Sequence, residues 1–330
     1  MAKSTKAPIV VHESSVEIAG VGVSFHRTLR IPDDGKVYPL PPSLGCFPIH
    51  RVKDHAGRVP ESWLGNGGIF LPMYQREAMW MSFDRPHWPP RALKLAVGMV
   101  NAITGAPWDD RLSKDEQDYL VCPDQPWIDG IKSADGEIRQ FVAMPLGMGY
   151  TVEGQVTGEE RFGGLQIAVH SAKKGRLPKH DRTEPHTDAM MVLSLSAAPP
   201  SAGAEMGLAA GGRMEQKIYP DPYGRDTWRT RPDARLYVHI VNSQLYREIT
   251  GERAPDTPVT ARTYTEHGYP WFALYDEAQP DVPVPDTLAG VKSVKQMDAE
   301  KGFAPQQDDT SVPVADEQVI GVPGGTTPTP

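Results

Sequence analysis

Residues 138–169 have the sequence IRQFVAMPLGMGYTVEGQVTGEERFGGLQIAV, in which short apolar runs are separated by glycine and proline. The pattern predicts three strands, over residues 138–144, 150–156 and 165–169. Apolar residues alternate with other residues in each run, which is typical of half-buried antiparallel strands, and the breaks between the runs supply turns. We expect the rest of the fold to pack on this sheet, with these side chains in its core: Ile138, Phe141, Val152, Leu165 and Ile167.

The composition extends this prediction to the rest of the chain. The 330 residues include 33 prolines and 31 glycines, and windows rich in helix-forming residues are scarce. Many short strands joined by Gly/Pro turns bury their apolar faces best by packing sheet against sheet. The sequence therefore predicts a mainly β fold, an antiparallel β-sandwich or jelly-roll-like domain with short helices. One such helix is expected over residues 244–250, capped by Asn242 and Ser243 and ended by Gly251.

The chain divides into three regions by composition. Residues 1–13 are expected to be a flexible arm, and residues 14–277 a β-rich globular domain with a possible subdomain break near residues 171–205. Residues 278–330 are predicted to be a disordered acidic tail rich in proline and glycine. From residue 281 onward the chain has eight acidic residues, three lysines and one aromatic residue, and so few apolar residues cannot offset the entropy cost of ordering. We therefore expect truncation after Glu277 to leave stability nearly unchanged.

Charge, hydropathy and cysteine content exclude several classes of function. The net charge of −8 argues against a nucleic-acid-binding surface. No apolar window approaches 18 residues, so the sequence predicts no transmembrane segment, and a cytoplasmic location is the expectation. Cys46 and Cys122 are far apart and form no CxxC pair, which favours buried thiols over a structural zinc site.

The best candidate metal ligands are His186 and Asp188, an HxD pair just before an apolar run, together with the distant His239. This arrangement resembles the facial triad of non-haem iron, 2-oxoglutarate-dependent oxygenases. The resemblance implies Fe2+ as cofactor and Arg247 as the residue that binds the co-substrate. The alternative is a polar loop around His186 and a core histidine at 239, with no cofactor.

A second candidate site is an arginine cluster in the segment YGRDTWRTRPDAR, residues 223–235. Its arginines make a local positive patch, and its tryptophan offers a ring for stacking. Such a patch suits an anionic ligand, an acidic segment of a partner, or the chain's own acidic tail. The candidate residues are Arg225, Trp228, Arg229, Arg231 and Arg235. The alternative is a solvated loop with Trp228 packed underneath.

Three functions are consistent with these features. The leading hypothesis is a non-catalytic binding or assembly protein, whose sheet surface and aromatic loops recognise another protein or a second copy of the chain. The second is an iron-dependent oxygenase built on the HxD pair and His239. The third is a carbohydrate-binding β-sandwich, which depends on aromatic residues expected in loops: Trp63, Trp88, Trp108, Trp127, Trp228 and Trp271.

Overall fold

The computed structural model describes residues 9–84, 88–178, 204–256, 259–274 and 280–322. These ranges are mainly β, with antiparallel pairing predominant, which confirms the predicted fold class. The strands are β1 (Ile9–Val11), β2 (Ser15–Ile18), β3 (Val21–Thr28), β4 (Val37–Tyr38), β5 (His50–Arg51), β6 (Ile69–Pro72), β7 (Ala78–Asp84), β8 (Arg91–Val97), β9 (Val100–Asn101), β10 (Leu120–Cys122), β11 (Trp127–Ile128), β12 (Gly130–Ala134), β13 (Glu137–Pro145), β14 (Leu165–Ser171), β15 (Glu205–Glu215), β16 (Ala234–Val241), β17 (Trp271–Leu274) and β18 (Val319–Val322).

The helices in the described ranges are short. They are α1 (Glu61–Leu64), α2 (Val152–Thr157), α3 (Ser243–Thr250), α4 (Ala261–Glu266), α5 (Asp286–Ala289) and α6 (Val294–Glu300). Helix α3 confirms the predicted one: the Asn242 side chain accepts from the N–H of Leu245, and Gly251 ends the helix with φ +80°.

Ten strands form one continuous path in the order β1-β2-β3-β7-β13-β15-β16-β14-β8-β10, and all neighbours in it are antiparallel. Short strands extend this sheet at its sides, and β17 and β18 form a separate parallel pair. Four strands separate β2 from β16 along the path, yet β2 and β16 lie close together. The sheet therefore curls, and side chains from both of its ends share one apolar core.

The central stretch is partly as predicted. The expected strands at its ends are β13 and β14, and the five predicted core side chains are all buried. The middle strand is wrong, because residues 152–157 form α2. The Thr151 hydroxyl accepts from the Gly154 N–H at 3.0 Å, and Gly158 ends the helix with φ +80°. A local N-cap thus overrides an alternation that suits either structure.

Each of the three predicted regions contributes elements to the described fold. The arm contains β1 from Ile9 onward, and this strand pairs with β2. Strands β14 and β15, on either side of the expected subdomain break, both pair with β16 and so belong to one sheet. The structure describes residues 280–322 of the predicted disordered tail as docked on the domain, with α5, α6 and β18, while residues 323–330 lie outside the described ranges. Residues 280–322, within the predicted tail, therefore carry regular secondary structure that packs on the domain.

Candidate binding surface

We call residues 280–322 the C-terminal strap. The strap has no apolar core of its own, because its buried apolar side chains join clusters that belong to the domain. Val282, Leu288 and Val291 enter the main core, Val294 packs beside β7, β13 and β15, and Val312 enters a third cluster. The strap therefore binds the domain in the way that a separate peptide ligand would.

The first polar anchor of the strap is Asp281, which pairs with the buried Lys132 of β12. The Lys132 ammonium, with a side chain 0% exposed, donates to Asp281 Oδ2. The same carboxylate accepts from the N–H groups of Gly136, at 2.7 Å, and Ile218, at 2.9 Å. A buried ammonium without a partner is strongly unfavourable, so Lys132 requires a carboxylate at this place.

The second anchor is Asp298 in α6. Arg76 Nη2 donates to Asp298 Oδ2 at 2.5 Å, and the Tyr150 hydroxyl donates to Oδ1 at 2.7 Å. Burial, together with this hydrogen bond to the carboxylate, raises the pKa of Tyr150 to about 12. Tyr150 therefore keeps its proton at neutral pH and remains a donor to the strap.

The third anchor is Asp309, whose Oδ1 accepts from Arg30 Nη2 at 2.8 Å. This pair is buried but incompletely satisfied. The nitrogens Nε and Nη1 of Arg30, Nη1 of Arg76 and Oδ2 of Asp309 have no hydrogen-bond partner among the described residues. Each such group costs about 1–3 kcal/mol when it is buried without a partner. Arg30 Nη1 lies 3.8 Å from Asp308 Oδ2 of the strap, so the two guanidinium groups have hydrogen-bond donors that the strap uses only in part.

A further polar contact between the strap and the domain has the opposite arrangement of charge, because its carboxylate, Asp33, belongs to the domain. Asp33 Oδ2 accepts a hydrogen bond from the Ser293 hydroxyl. The backbone carbonyl of Asp33 accepts one from Lys295 Nζ at 2.7 Å. Arg139 lies 3.6 Å from Asp33 Oδ1, so the carboxylate is also held from the domain side. Ser293 caps α6 through a capping box with Gln296. The contact with Asp33 therefore fixes where α6 begins.

We define the strap-binding face as the part of the domain that carries Arg30, Arg76 and Lys132. The three cations come from separate parts of the sequence, the loops next to β3 and β7 and strand β12. The same face includes the apolar residues that pack against Val294 of the strap, among them Ala78, Val142 and Met144. The face can hold a polypeptide that presents carboxylates and single apolar side chains in this order. Sequence analysis missed it because its members are isolated charges in unrelated segments.

A polar cluster around His26 was also missed by the sequence analysis. The imidazole stacks on Trp80 with ring centroids 3.8 Å apart, and its nitrogens lie 2.9 Å from the hydroxyls of Ser43 and Ser82. Cys46 Sγ lies 3.6 Å from Nδ1. Burial lowers the pKa of His26 to about 4, so the ring is neutral at pH 7. Burial also raises the pKa of Cys46 to about 11, which leaves this thiol protonated.

The metal prediction is not tested by the structure. His186 and Asp188 lie outside the described residues. His239 is buried, stacks on Trp63 at 4.4 Å, and its Nε2 lies 2.9 Å from the carbonyl oxygen of Gly67. Burial lowers the pKa of His239 to about 4. Within the described ranges no group of three or more His, Cys, Asp or Glu side chains is arranged to hold a metal ion.

The arginine cluster is placed at the surface around a buried tryptophan. Trp228 is 1% exposed, and its indole N–H donates to Asp221 at 2.7 Å, so its ring belongs to the core. Arg229 pairs with Asp233 at 3.2 Å, and Arg235 with Asp110 at 2.8 Å. Arg225 and Arg231 are exposed. Ligand binding at this cluster stays a prediction, and the ring of Trp228 is packed inside the domain in this structure.

The tryptophans behind the carbohydrate hypothesis are mostly part of the core. Trp63, Trp127, Trp228 and Trp271 are buried, and Trp88 and Trp108 are half-buried. Sugar rings are recognised through exposed aromatic faces, and the four buried rings offer none. The hypothesis itself stays a prediction.

Comparisons with models of protein families, with curated proteins and with solved structures give no match for this chain. None of the helices in the described ranges has the length and apolar character needed to cross a membrane.

Proposed function

We propose that this protein is a non-catalytic binding protein whose strap-binding face recognises an acidic, extended polypeptide segment. In the structure the chain's own strap occupies this face. The observation that carries the proposal is that three cations of the domain, the buried Arg30 and Lys132 and the half-buried Arg76, are each bound to a carboxylate of the strap.

The energetics of these pairs support a role in recognition. Replacing a buried ion pair by apolar residues is often neutral or stabilising, so the two buried pairs of Arg30 and Lys132 are a poor way to stabilise a core. They give strong selectivity, because removal of one partner leaves a buried charge without compensation. The nitrogens of Arg30 and Arg76 that have no hydrogen-bond partner among the described residues add donors for a segment that carries a further acceptor at this point.

The binding mode combines two kinds of contact. The apolar side chains Val282, Leu288 and Val294 fill separate places in domain clusters and supply affinity. The carboxylates of Asp281 and Asp298 fix the register of the segment between these places. Extended and short helical peptides are recognised in this way, by anchors in pockets and by directional polar contacts.

A nicked form of the protein tests the proposal without removing the strap. A specific protease site is inserted within residues 275–279, the chain is cleaved, and a fluorescent peptide of residues 280–322 is added. We expect the labelled peptide to exchange with the strap and to bind saturably. Asp298→Asn in the peptide should weaken binding about tenfold or more, because Arg76 and Tyr150 lose their acceptor charge.

The matched control is Asp286→Asn in the same peptide, because Asp286 is exposed. We expect this change to alter affinity less than twofold. Equal binding of the wild-type and Asp298→Asn peptides would contradict recognition of carboxylates. Failure of the nicked protein to take up any labelled peptide over days would contradict the proposed binding function.

A further inference from the structure

Two guanidinium groups under the strap have more hydrogen-bond donors than the strap has acceptors for them. Arg30 donates through Nη2 to Asp309, and Arg76 donates through Nη2 to Asp298. Among the described residues, Nε and Nη1 of Arg30 and Nη1 of Arg76 have no hydrogen-bond partner, although these atoms are buried. An occupant with more acceptor oxygens at this place than the strap would therefore bind the face more completely.

The two guanidinium groups are also near neighbours. Burial lowers the pKa of Arg30, the charge of Asp309 opposes this, and the positive charge of Arg76 lowers the pKa further. Two arginines with donors to spare are the arrangement by which proteins recognise phosphorylated side chains. A carboxylate offers two acceptor oxygens and one charge, whereas a phosphate monoester offers three such oxygens and a charge of about −1.5 to −2.

The residue of the strap that such a phosphate would replace is Asp308. Its Oδ2 lies 3.8 Å from Arg30 Nη1, about 1 Å more than a charge-assisted hydrogen bond of about 2.7–2.9 Å. The terminal oxygens of phosphoserine lie one bond further from Cβ than those of aspartate. The Asp308 side chain is 37% exposed and residues 301–307 are exposed, so a larger group has room on the solvent side.

We propose that the strap-binding face is specific for a phosphorylated segment, in which phosphoserine stands at the position of Asp308 and its phosphate binds Arg30 and Arg76. The inference rests on the function proposed above and names the partner of the same face. The chain's own strap, with a carboxylate at this position, is then the weaker occupant that such a partner displaces. Lys295 Nζ, which lies 3.5 Å from the carbonyl oxygen of Asp309, adds a third cation nearby.

Strap peptides that differ only at residue 308 test the proposal in the nicked protein. Asp308→Glu is the matched control, because glutamate reaches as far as phosphoserine but brings two oxygens and a single charge. We expect Asp308→phosphoserine to bind about fivefold tighter than the wild-type peptide or better, and about threefold tighter than Asp308→Glu, in competition with the fluorescent strap peptide. Asp316→phosphoserine, at an exposed position, should change affinity less than about twofold.

A variant of the domain tests the assignment to the arginines. Arg30→Lys keeps the charge but loses the planar fork of donors, so the preference for phosphoserine over aspartate should fall below about twofold. Arg76→Lys, at a half-buried residue, is the second variant if Arg30→Lys does not fold.

The outcomes separate the two proposals. Phosphoserine and wild-type peptides of equal affinity, or phosphoserine and glutamate peptides of equal affinity, overturn this inference and leave the proposed function standing. A preference that persists in the lysine variant overturns it as well. Uptake of no peptide at all overturns both proposals.

Discussion

The carboxyl group of Asp129 is buried and accepts a hydrogen bond from Gln216 Nε2 at 2.6 Å. Burial raises the pKa of Asp129 to about 7 in the folded protein, well above its ordinary value. The folded state therefore holds this proton more tightly than the unfolded chain does. Stability should fall as the pH rises from about 4 to about 7, where the unfolded chain has already released the proton.

Asp129→Asn should remove this loss, since the amide stays neutral and its oxygen still accepts from Gln216. We expect the variant to melt about 2–6 °C above the wild type at pH 8 and within about 1 °C of it at pH 4, as measured by calorimetry. Asp115→Asn, at an exposed position, serves as control and should shift neither temperature. A variant that is less stable than the wild type at pH 8 would show that the ionised carboxylate is needed.

At the level of single elements, helix α2 and the loop after it depend on the Glu153 carboxylate. The carboxylate is buried and accepts from the N–H groups of Arg161, Phe162 and Gly163 at 2.8–3.2 Å. Glu153→Gln would turn an amide NH₂ toward these donors and leave at least one N–H unpaired. We expect a loss of about 1–3 kcal/mol in the free energy of unfolding, measured by urea titration.

The control for this change is Glu159→Gln, because Glu159 is exposed and pairs with the exposed Arg161 side chain. Exposed ion pairs contribute little, so its effect should stay below about 0.5 kcal/mol. Equal effects of the two substitutions would mean that the Glu153 contacts do not hold the loop.

The elements of residues 138–169 show which structures can be predicted from the sequence and which cannot. Strand β14 was predictable because Leu165, Ile167 and Val169 alternate with other residues after Gly163 and Gly164. Strand β13 was predictable because its apolar run is bounded by Gly136 and by Pro145 and Gly147. Helix α2 was not predictable, because the pattern of Thr151-Val152-Glu153 is equally consistent with a strand. The Thr151 cap and the contacts of Glu153 with residues 161–163 decide between the two. The contacts of Glu153 depend on the path of the loop that follows α2. A sequence window that covers only α2 does not include this loop.

At the scale of the whole molecule, the folded strap was not predicted either, because its contacts are with residues that are distant in the sequence. Its apolar residues are isolated along the sequence, and averages over a window therefore indicate disorder. Each of these side chains packs on its own into a space between strands that are distant from it in the sequence. The carboxylates that lowered the hydropathy are the groups that bind Arg30, Arg76 and Lys132. Nothing local to those three residues distinguishes them from surface cations.

Removal of the strap should therefore destabilise the domain strongly. The composition alone led to the opposite expectation, that stability would be nearly unchanged. Val282, Leu288 and Val291 belong to the main core, and burial of each side chain contributes about 1.5–3 kcal/mol. Their loss, together with a buried Lys132 left unpaired, is comparable to the whole stability of about 5–15 kcal/mol that domains have. We expect residues 1–279 expressed alone to be insoluble or to show no cooperative melting transition.

Co-expression separates the loss of contacts from a failure of the shortened chain to be made. Because the strap's buried contacts are with the domain, residues 280–322 supplied as a separate chain can restore them. We expect co-expression of the two pieces to return soluble protein that melts cooperatively. Leu288→Ala in the separate piece should reduce the yield, since the cavity costs about 2–5 kcal/mol. A shortened chain that melts alone within about 5 °C of the full-length protein would contradict this account.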